Sequence, residues 1–271
     1  MTDTGLTQHL TPSGVEYLQA GDGETGLLVF THGWRDSALG WQWVIDELTR
    51  SATTAGWRVA SVQRKEVDRP EEDTAGLLED FASQVVEVAR HLARRDERVV
   101  IVGQSMGGPV AELAAARLSD LAVGLVLVNP APLAGWPLPP DVVEMLKTGA
   151  RDLDRVTAGL SRTQFAADRS DTARLRLVIS TPTETERASL QSLLSWIGGH
   201  PAGHQPSPVR APALVVVSDD TFFSEEMLRT TVAGRFSGAH VAEVRGAGHY
   251  PHLERPAELA QVMAEFLAKL E

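Results

Sequence analysis

Residues 99–108 read Val99-Val100-Ile101-Val102-Gly103-Gln104-Ser105-Met106-Gly107-Gly108. A short apolar run typical of a buried strand leads here into a glycine-flanked serine, and a helical pattern follows from Pro109 to Ala114. Strand, sharp turn and helix are the context in which G-x-S-x-G presents a serine at the tip of a strained turn. The flanking glycines let neighbouring backbone pass close to Ser105. A serine between glycines is also common in ordinary turns, so the pattern needs support from elsewhere in the chain.

The composition of the whole chain is that of an ordinary globular protein. Of its 271 residues, 43% are hydrophobic and 23% are charged, so a sizeable core can be buried. The formal net charge of -11 argues against binding to nucleic acid or to an anionic membrane surface. The chain contains no cysteine, which excludes disulfide bonds and thiolate chemistry.

We expect neither a secretion signal nor a membrane span. The first residues, Met1-Thr2-Asp3-Thr4-Gly5, lack the basic and apolar regions of a signal peptide. No apolar run in the sequence approaches the roughly 20 residues that a membrane-spanning helix needs. The expected location of the protein is therefore the cytoplasm.

Strand and helix patterns alternate along most of the chain. The predicted strands are Thr7–Leu10, Val15–Gln19, Leu27–Phe30, Arg58–Val62, Val99–Val102, Leu125–Val128, Ala213–Val217 and Val241–Val244. The predicted helices are Trp41–Thr49, Leu78–Leu92, Pro109–Ala114, a helix capped by Ser224, and Pro256–Leu270. Strands that alternate with helices form a mostly parallel sheet with helices on both faces, so the predicted fold class is α/β.

The alternation breaks between Pro130 and Pro212, where prolines and glycines bound a segment without a strand pattern. Helical patterns occur in it at Val142–Lys147, Leu153–Leu160 and Ala188–Ile197. We predict a helical cap at residues 133–205, inserted into a core domain of residues 1–132 and 206–271. Open α/β sheets bind ligands at their carboxyl edge, so we expect the cap to form one wall of the pocket; a packing role alone is the alternative.

A catalytic serine needs a general base, and His249 is the candidate. It lies in a glycine-flanked loop after the last predicted strand, where a base for Ser105 must lie. A carboxylate would fix the tautomer of this histidine and stabilise its charged form. Asp219 and Asp220 both follow the strand Leu214–Val217, and either one could supply that carboxylate.

The stretch His32-Gly33-Trp34 follows a predicted strand and supplies a candidate oxyanion site. Gly33 lets the backbone approach closely, so the amide of Trp34 can act beside the amide of Met106 at the start of the elbow helix. His32 could be mistaken for a base. We expect it instead to hold its own loop through side-chain hydrogen bonds.

Together these motifs resemble those of α/β-hydrolase-fold enzymes over nearly the whole chain. The elbow is similar to that of the esterase and perhydrolase-like branches, and His32-Gly33-Trp34 with Ser37 and Trp41 resembles the oxyanion-loop signature. The stretch from Gly246 to Pro256 resembles the histidine loop of the family, and serine, aspartate, histidine is its chain order. The resemblance implies an α/β-hydrolase fold that carries an inserted helical cap.

The chain departs from the family pattern at two places. The family usually has Gly-x-x-Asp after the acid strand, whereas this chain has Ser218-Asp219-Asp220-Thr221. Counting back from the helix start at Ser224 favours Asp220 as the acid and leaves Asp219 as the alternative. The stretch from Gln63 to Asp73 is charged and glycine-free where the family usually has a Gly-His-Gly turn. We expect a solvated loop there, and a rim that alters substrate access is the alternative.

The resemblance implies a serine hydrolase that acts on a small-molecule ester, lactone or related acyl substrate through an acyl-enzyme. Its triad would be Ser105, Asp220 and His249, and the amides of Trp34 and Met106 would form its oxyanion hole. No cofactor is expected, because no phosphate-binding loop or dinucleotide fingerprint occurs in the sequence. His200 and His204 have a metal-ligand spacing for a helix, but Pro201 and Gly203 disfavour a helix there, so no metal ion is expected. A cofactor-free lyase or cyclase and a slow-turnover ligand-binding protein on the same fold are the alternatives, and the oligomeric state stays open.

Overall fold

A computed structural model describes residues 5–70, 73–149, 152, 174, 178 and 185–270 of the chain. The strands in these residues are β1 (Thr7–Leu10), β2 (Glu16–Ala20), β3 (Gly26–Thr31), β4 (Trp57–Gln63), β5 (Val99–Gln104), β6 (Ala122–Val128), β7 (Ala213–Ser218) and β8 (His240–Val244). The helices are α1 (Gln42–Arg50), α2 (Thr74–Leu92), α3 (Gly107–Arg117), α4 (Pro140–Gly149), α5 (Glu186–Gly198), α6 (Glu225–Met227), α7 (Pro251–Glu254) and α8 (Pro256–Leu267).

The strands form one eight-stranded sheet in the order β1-β2-β4-β3-β5-β6-β7-β8. From β4 to β8 along this order every neighbouring pair is parallel, whereas β1 and β2 form an antiparallel hairpin that adds to β4. Parallel strands end at the same edge of a sheet, so the loops after β3, β5, β7 and β8 meet there. The predicted α/β class and mostly parallel sheet are confirmed.

Both faces of the sheet are covered by helices, as the continuous apolar strands require. Neighbouring residues on a strand point to opposite faces. In β3, Leu27 and Val29 belong to the core that includes residues of α2 and α3. Leu28 and Phe30 belong to a second core that includes residues of α1 and α8. The central strands are therefore buried on both sides and form a rigid support for the loops at their ends.

The predicted elements agree well with the observed ones. Each predicted strand coincides with an observed strand to within three residues at either end. Ser224 caps α6, since its side chain accepts a hydrogen bond from the backbone amide of Met227. No helix among the described residues is both long and apolar enough to cross a membrane.

Two of the three helices predicted for the cap are present. Val142–Lys147 lies within α4 and Ala188–Ile197 lies within α5, and α5 packs on α2 of the core. The third predicted helix, Leu153–Leu160, lies outside the described residues. The division of the chain into a core and a cap at residues 133–205 stays a prediction.

The fold should be sensitive to any side chain at Gly103. A Cβ atom there would lie 2.1 Å from the backbone oxygen of Gly107 and 2.7 Å from Cβ of Ala111, so α3 would have to move away from β5. We expect Gly103→Ala to lower the free energy of unfolding by about 2 kcal/mol or more. Urea unfolding measures this change.

Gly234→Ala is the matched control, because the nearest atom to a Cβ at that position is the backbone oxygen of Arg229 at 3.4 Å. Its effect should stay below about 1 kcal/mol. Equal stabilities of the two variants would contradict the close packing described for the elbow.

Candidate active site

Ser105 stands at the turn between β5 and α3 in a strained conformation. Its φ of 52° lies in the left-handed region, which is unfavourable for a residue with a side chain. The turn is held by backbone hydrogen bonds: Ser105 N donates to Val128 O (3.1 Å), and Ser105 O accepts from the amides of Gly108 (2.8 Å) and Ala131 (2.9 Å). The side chain stays partly exposed at the carboxyl edge of the sheet.

Ser105, His249 and Asp220 are linked by hydrogen bonds. Ser105 Oγ lies 2.9 Å from His249 Nε2, and His249 Nδ1 lies 2.7 Å from Asp220 Oδ2. Asp220 Oδ1 accepts a hydrogen bond of 2.8 Å from the amide of Phe222, which fixes the carboxylate. His249 is 4% exposed and Asp220 6%, so water competes little for these bonds. The structure thus places the three predicted side chains in the order that a serine–histidine–aspartate triad requires.

Asp219, the alternative acid, points elsewhere. Its Oδ2 accepts a hydrogen bond of 2.7 Å from the amide of Gly246, and its Oδ1 lies 3.1 Å from Arg245 Nη1. The hydrogen bond from the Gly246 amide, together with Arg245, lowers the pKa of the Asp219 carboxyl group. Asp219 is exposed and fastens the beginning of the loop that carries His249.

Three further side chains, absent from the predicted site, hold the His249 loop in place. Ser218 Oγ and Asn129 Nδ2 donate to the carbonyl of Gly248 at 2.5 Å and 3.1 Å. Gln104 Nε2 donates to the carbonyl of His249 at 3.0 Å. All three residues are buried polar groups at the ends of apolar strands. A polar residue at the end of an apolar strand was the signal in the sequence that could have identified them, since a buried polar side chain needs a hydrogen-bond partner.

The two expected oxyanion donors border Ser105. A Cβ atom on Gly33 would lie 3.2 Å from Ser105 Cβ, so the loop before Trp34 passes directly beside the serine. The Trp34 indole nitrogen donates to the carbonyl of Ser189 in α5 at 2.9 Å. Met106 immediately precedes α3, and the first amides of a helix have no partner within it. The backbone amides of Trp34 and Met106 therefore lie in segments next to Ser105, and their role as oxyanion donors stays a prediction.

His32 has the surroundings of a structural residue, as predicted. It is fully buried, and its Nδ1 lies 2.9 Å from the carbonyl of Gly33 and 3.0 Å from Arg64 Nη2. Burial and the nearby charge of Arg64 hold the pKa of His32 well below its ordinary value. The imidazole is therefore neutral at physiological pH and can accept a hydrogen bond.

The expectation of a solvated loop after β4 is wrong for Arg64. Lys65 and Glu66 are exposed, but the Arg64 side chain is only 2% exposed. It donates to the carbonyls of His32 and Gly33 and to Thr31 Oγ1. An arginine can be buried when acceptors match its donors, and a run of charged neighbours in the sequence hides that possibility.

A small cavity of about 20 Å³ adjoins Ser105 and His249. Its other lining residues are apolar or aromatic and come from the core and from α4 and α5: Trp34, Leu146, Trp196, Phe222, Phe223 and Tyr250. The aromatic rings also surround the imidazole, with ring centroids of Tyr250 and Phe223 at 5.0 Å and 5.5 Å from that of His249. Ser105 therefore faces an apolar space bounded in part by helices of the predicted cap.

With the geometry established, comparison with known proteins identifies the family. A model of the alpha/beta hydrolase family matches residues 28–262. The chain belongs to the alpha/beta hydrolase family. The family and the fold predicted from the motifs are thereby confirmed. No curated protein sequence matches the chain significantly.

Solved structures share the fold at low sequence identity. A bromoperoxidase from Bacillus anthracis is 19% identical with a TM-score of 0.78, and the match covers 97% of this chain and 100% of that one. An enol-lactonase from Burkholderia xenovorans is 20% identical with a TM-score of 0.76 and the same coverage. A thermophilic esterase from Thermogutta terrifontis is 19% identical with a TM-score of 0.72, covering 98% of this chain and 97% of that one. At this identity the similarity establishes the fold.

Acidification should destabilise the protein through His32. Because the pKa of His32 is lowered on folding, its neutral form is favoured, and that stabilisation is complete above pH 6.5, its ordinary pKa. The stabilisation is lost as the pH falls from there towards the lower pKa of the folded state. We expect wild-type stability to fall below about pH 6.5 more steeply than that of His32→Gln, by up to about 1.4 kcal/mol per pH unit. Urea unfolding at several pH values measures both slopes, and parallel curves would argue against a buried neutral His32.

Proposed function

We propose that the protein is a serine hydrolase that cleaves a carboxylic ester, lactone or related acyl substrate. One observation carries the proposal: Ser105 Oγ is 2.9 Å from His249 Nε2, and the other ring nitrogen is 2.7 Å from Asp220 Oδ2. A hydroxyl, an imidazole and a buried carboxylate in this order form the arrangement that activates a serine as a nucleophile.

The geometry supports a two-stage acyl transfer. His249 Nε2 accepts the proton of Ser105 while the serine oxygen attacks the substrate carbonyl, and Asp220 stabilises the imidazolium that forms. The resulting oxyanion is bound by the amides of Trp34 and Met106. His249 then gives its proton to the leaving oxygen, which departs and leaves an acyl-enzyme on Ser105. Water, activated by the same imidazole, releases the acid and regenerates the serine.

The surroundings of Ser105 favour an apolar acyl group. The cavity beside the serine is lined mainly by aromatic and aliphatic side chains, which favours an apolar group next to Ser105. Its volume of about 20 Å³ has room for about one water molecule, so the lining must move to admit a larger acyl group. Two proteins of the same fold carry the names esterase and enol-lactonase, which is consistent with this substrate class.

We propose a small-molecule acyl substrate, no cofactor, and a location in the cytoplasm. The net charge of -11 disfavours nucleic acid and anionic membranes as partners.

Replacement of the nucleophile should abolish hydrolysis. We expect Ser105→Ala to lower kcat for p-nitrophenyl acetate by about ten-thousand-fold or more, because no acyl-enzyme can form. Circular dichroism and thermal unfolding would show that the fold persists. A variant with wild-type turnover would contradict the serine mechanism.

The two neighbouring aspartates give a matched pair of variants. Asp220→Asn should lower kcat by about ten-thousand-fold, since an amide at this position favours the wrong tautomer of His249. Asp219→Asn should lower kcat less than about fivefold, because its amide oxygen can still accept from the Gly246 amide. Steady-state kinetics on one ester compare the two variants. A large loss at Asp219 with a small loss at Asp220 would overturn the assignment.

A further inference from the structure

Arg64 directly follows β4, and its guanidinium group is buried against the loop that follows β3. Nη2 donates to the carbonyl of Gly33 at 2.8 Å, while Nη1 donates to the carbonyl of His32 and lies 3.2 Å from Thr31 Oγ1. The guanidinium carbon lies 5.2 Å from the ring centroid of Phe81 in α2. The side chain thus makes charge-assisted hydrogen bonds to two successive carbonyls of the loop that precedes Trp34.

The carbonyl of Gly33 belongs to the same peptide group as the amide of Trp34. A peptide group is planar, and in the trans form its oxygen and its hydrogen point in opposite directions. No cis peptide occurs among the described residues, so a Gly33 carbonyl directed at Arg64 turns the Trp34 N–H away from Arg64. Gly33 itself lies against Ser105, since a Cβ atom on it would be 3.2 Å from Ser105 Cβ.

We infer that Arg64 is a positioning residue for the oxyanion hole. By binding the carbonyl of Gly33, it holds the Gly33–Trp34 peptide in the orientation that presents the Trp34 amide to the oxyanion formed at Ser105. This inference rests on the proposed serine hydrolysis. A preorganised donor needs no reorientation when charge develops, and one such donor is worth about a hundredfold to a thousandfold in rate.

The remainder of the loop has its own anchor. Asp36 Oδ2 lies 3.1 Å from Nε2 of the buried His252, and the ring of Trp41 packs on that imidazole at 4.9 Å between centroids. Loss of Arg64 should therefore loosen the peptide at Gly33 without releasing the whole loop. Of the two neighbours of the Gly33 carbonyl it leaves only His32 Nδ1, at 2.9 Å. Lysine cannot replace the arginine fully, because it lacks the planar fork that binds two acceptors at once.

The kinetic test is Arg64→Met, which keeps an aliphatic chain but removes every donor. We expect kcat for p-nitrophenyl acetate to fall about a hundredfold with KM changed less than threefold, since the oxyanion exists only in the transition state. A trifluoromethyl ketone, whose carbonyl becomes an oxyanion when a serine adds to it, should lose affinity by a factor similar to the loss in kcat/KM. Arg64→Lys should lie between the wild type and Arg64→Met, and it serves as the test variant if Arg64→Met does not fold.

Arg58→Met is the matched control. Arg58 is a buried arginine on β4, the strand that Arg64 follows, and it is bound to the carbonyl of Leu92 and to Glu97, away from the oxyanion loop. The Arg58→Met variant should be less stable than the wild type but keep the wild-type kcat. An equal fall in kcat in Arg58→Met and the Arg64 variant, or a rise in KM that accounts for the loss, would show that Arg64 has only a structural role and would overturn the inference.

A crystal structure of the Arg64 variant separates this inference from the proposed function. We expect the Gly33–Trp34 peptide to rotate, so that its N–H no longer faces Ser105. An unchanged peptide orientation would overturn the role of Arg64, whatever the activity. A wild-type protein that neither hydrolyses esters nor binds the ketone would overturn the proposed function and the oxyanion role together. If the wild type is active but the Gly33–Trp34 peptide keeps its orientation in the Arg64 variant, only the role of Arg64 is overturned.

Discussion

The close contact of backbone with backbone at the elbow is the constraint on which the site depends. A Cβ atom on Gly107 would lie 2.5 Å from the carbonyl of Thr31, and one on Gly103 would lie 2.1 Å from that of Gly107. The ends of β3 and β5 and the start of α3 can meet at these distances only because both positions are glycine. This contact brings the strained Ser105 beside the loop that carries Gly33, so the proposed nucleophile and the proposed oxyanion donors are located by one packing arrangement.

The rest of the site is organised by buried polar contacts at the carboxyl edge of the sheet. Ser218, Asn129 and Gln104 bind backbone carbonyls of the His249 loop, while Arg64 binds those of the oxyanion loop. These contacts satisfy polar groups that would otherwise be costly to bury, so they hold both loops in one conformation. The rigid, doubly covered strands beneath them supply fixed points, which is why loops can present catalytic groups accurately.

The sequence predicts well whatever depends on local pattern. The apolar run of β5, the glycines around Ser105 and the glycine-flanked His249 are each visible within a few residues, and the sheet follows from the alternation of such runs. Contacts between distant segments leave no such pattern: Gln104 and the His249 carbonyl are 145 residues apart. Counting back from Ser224 favoured Asp220 over Asp219, but both leave the same strand, and only the three-dimensional path shows which one faces His249. The burial of Arg64 was missed because the residue stands in a run of charged residues, a pattern that indicates a solvated segment.

The central claim is that Ser105 is a nucleophile activated by His249, and covalent labelling tests it most directly. The protein would be treated with a fluorophosphonate and digested, and the modified residue would be located by mass spectrometry. A phosphonyl group on Ser105, formed rapidly in the wild type and much more slowly in His249→Ala, is the result that this account predicts. Absence of labelling in the folded wild-type protein, or labelling at another residue with Ser105 untouched, would contradict it.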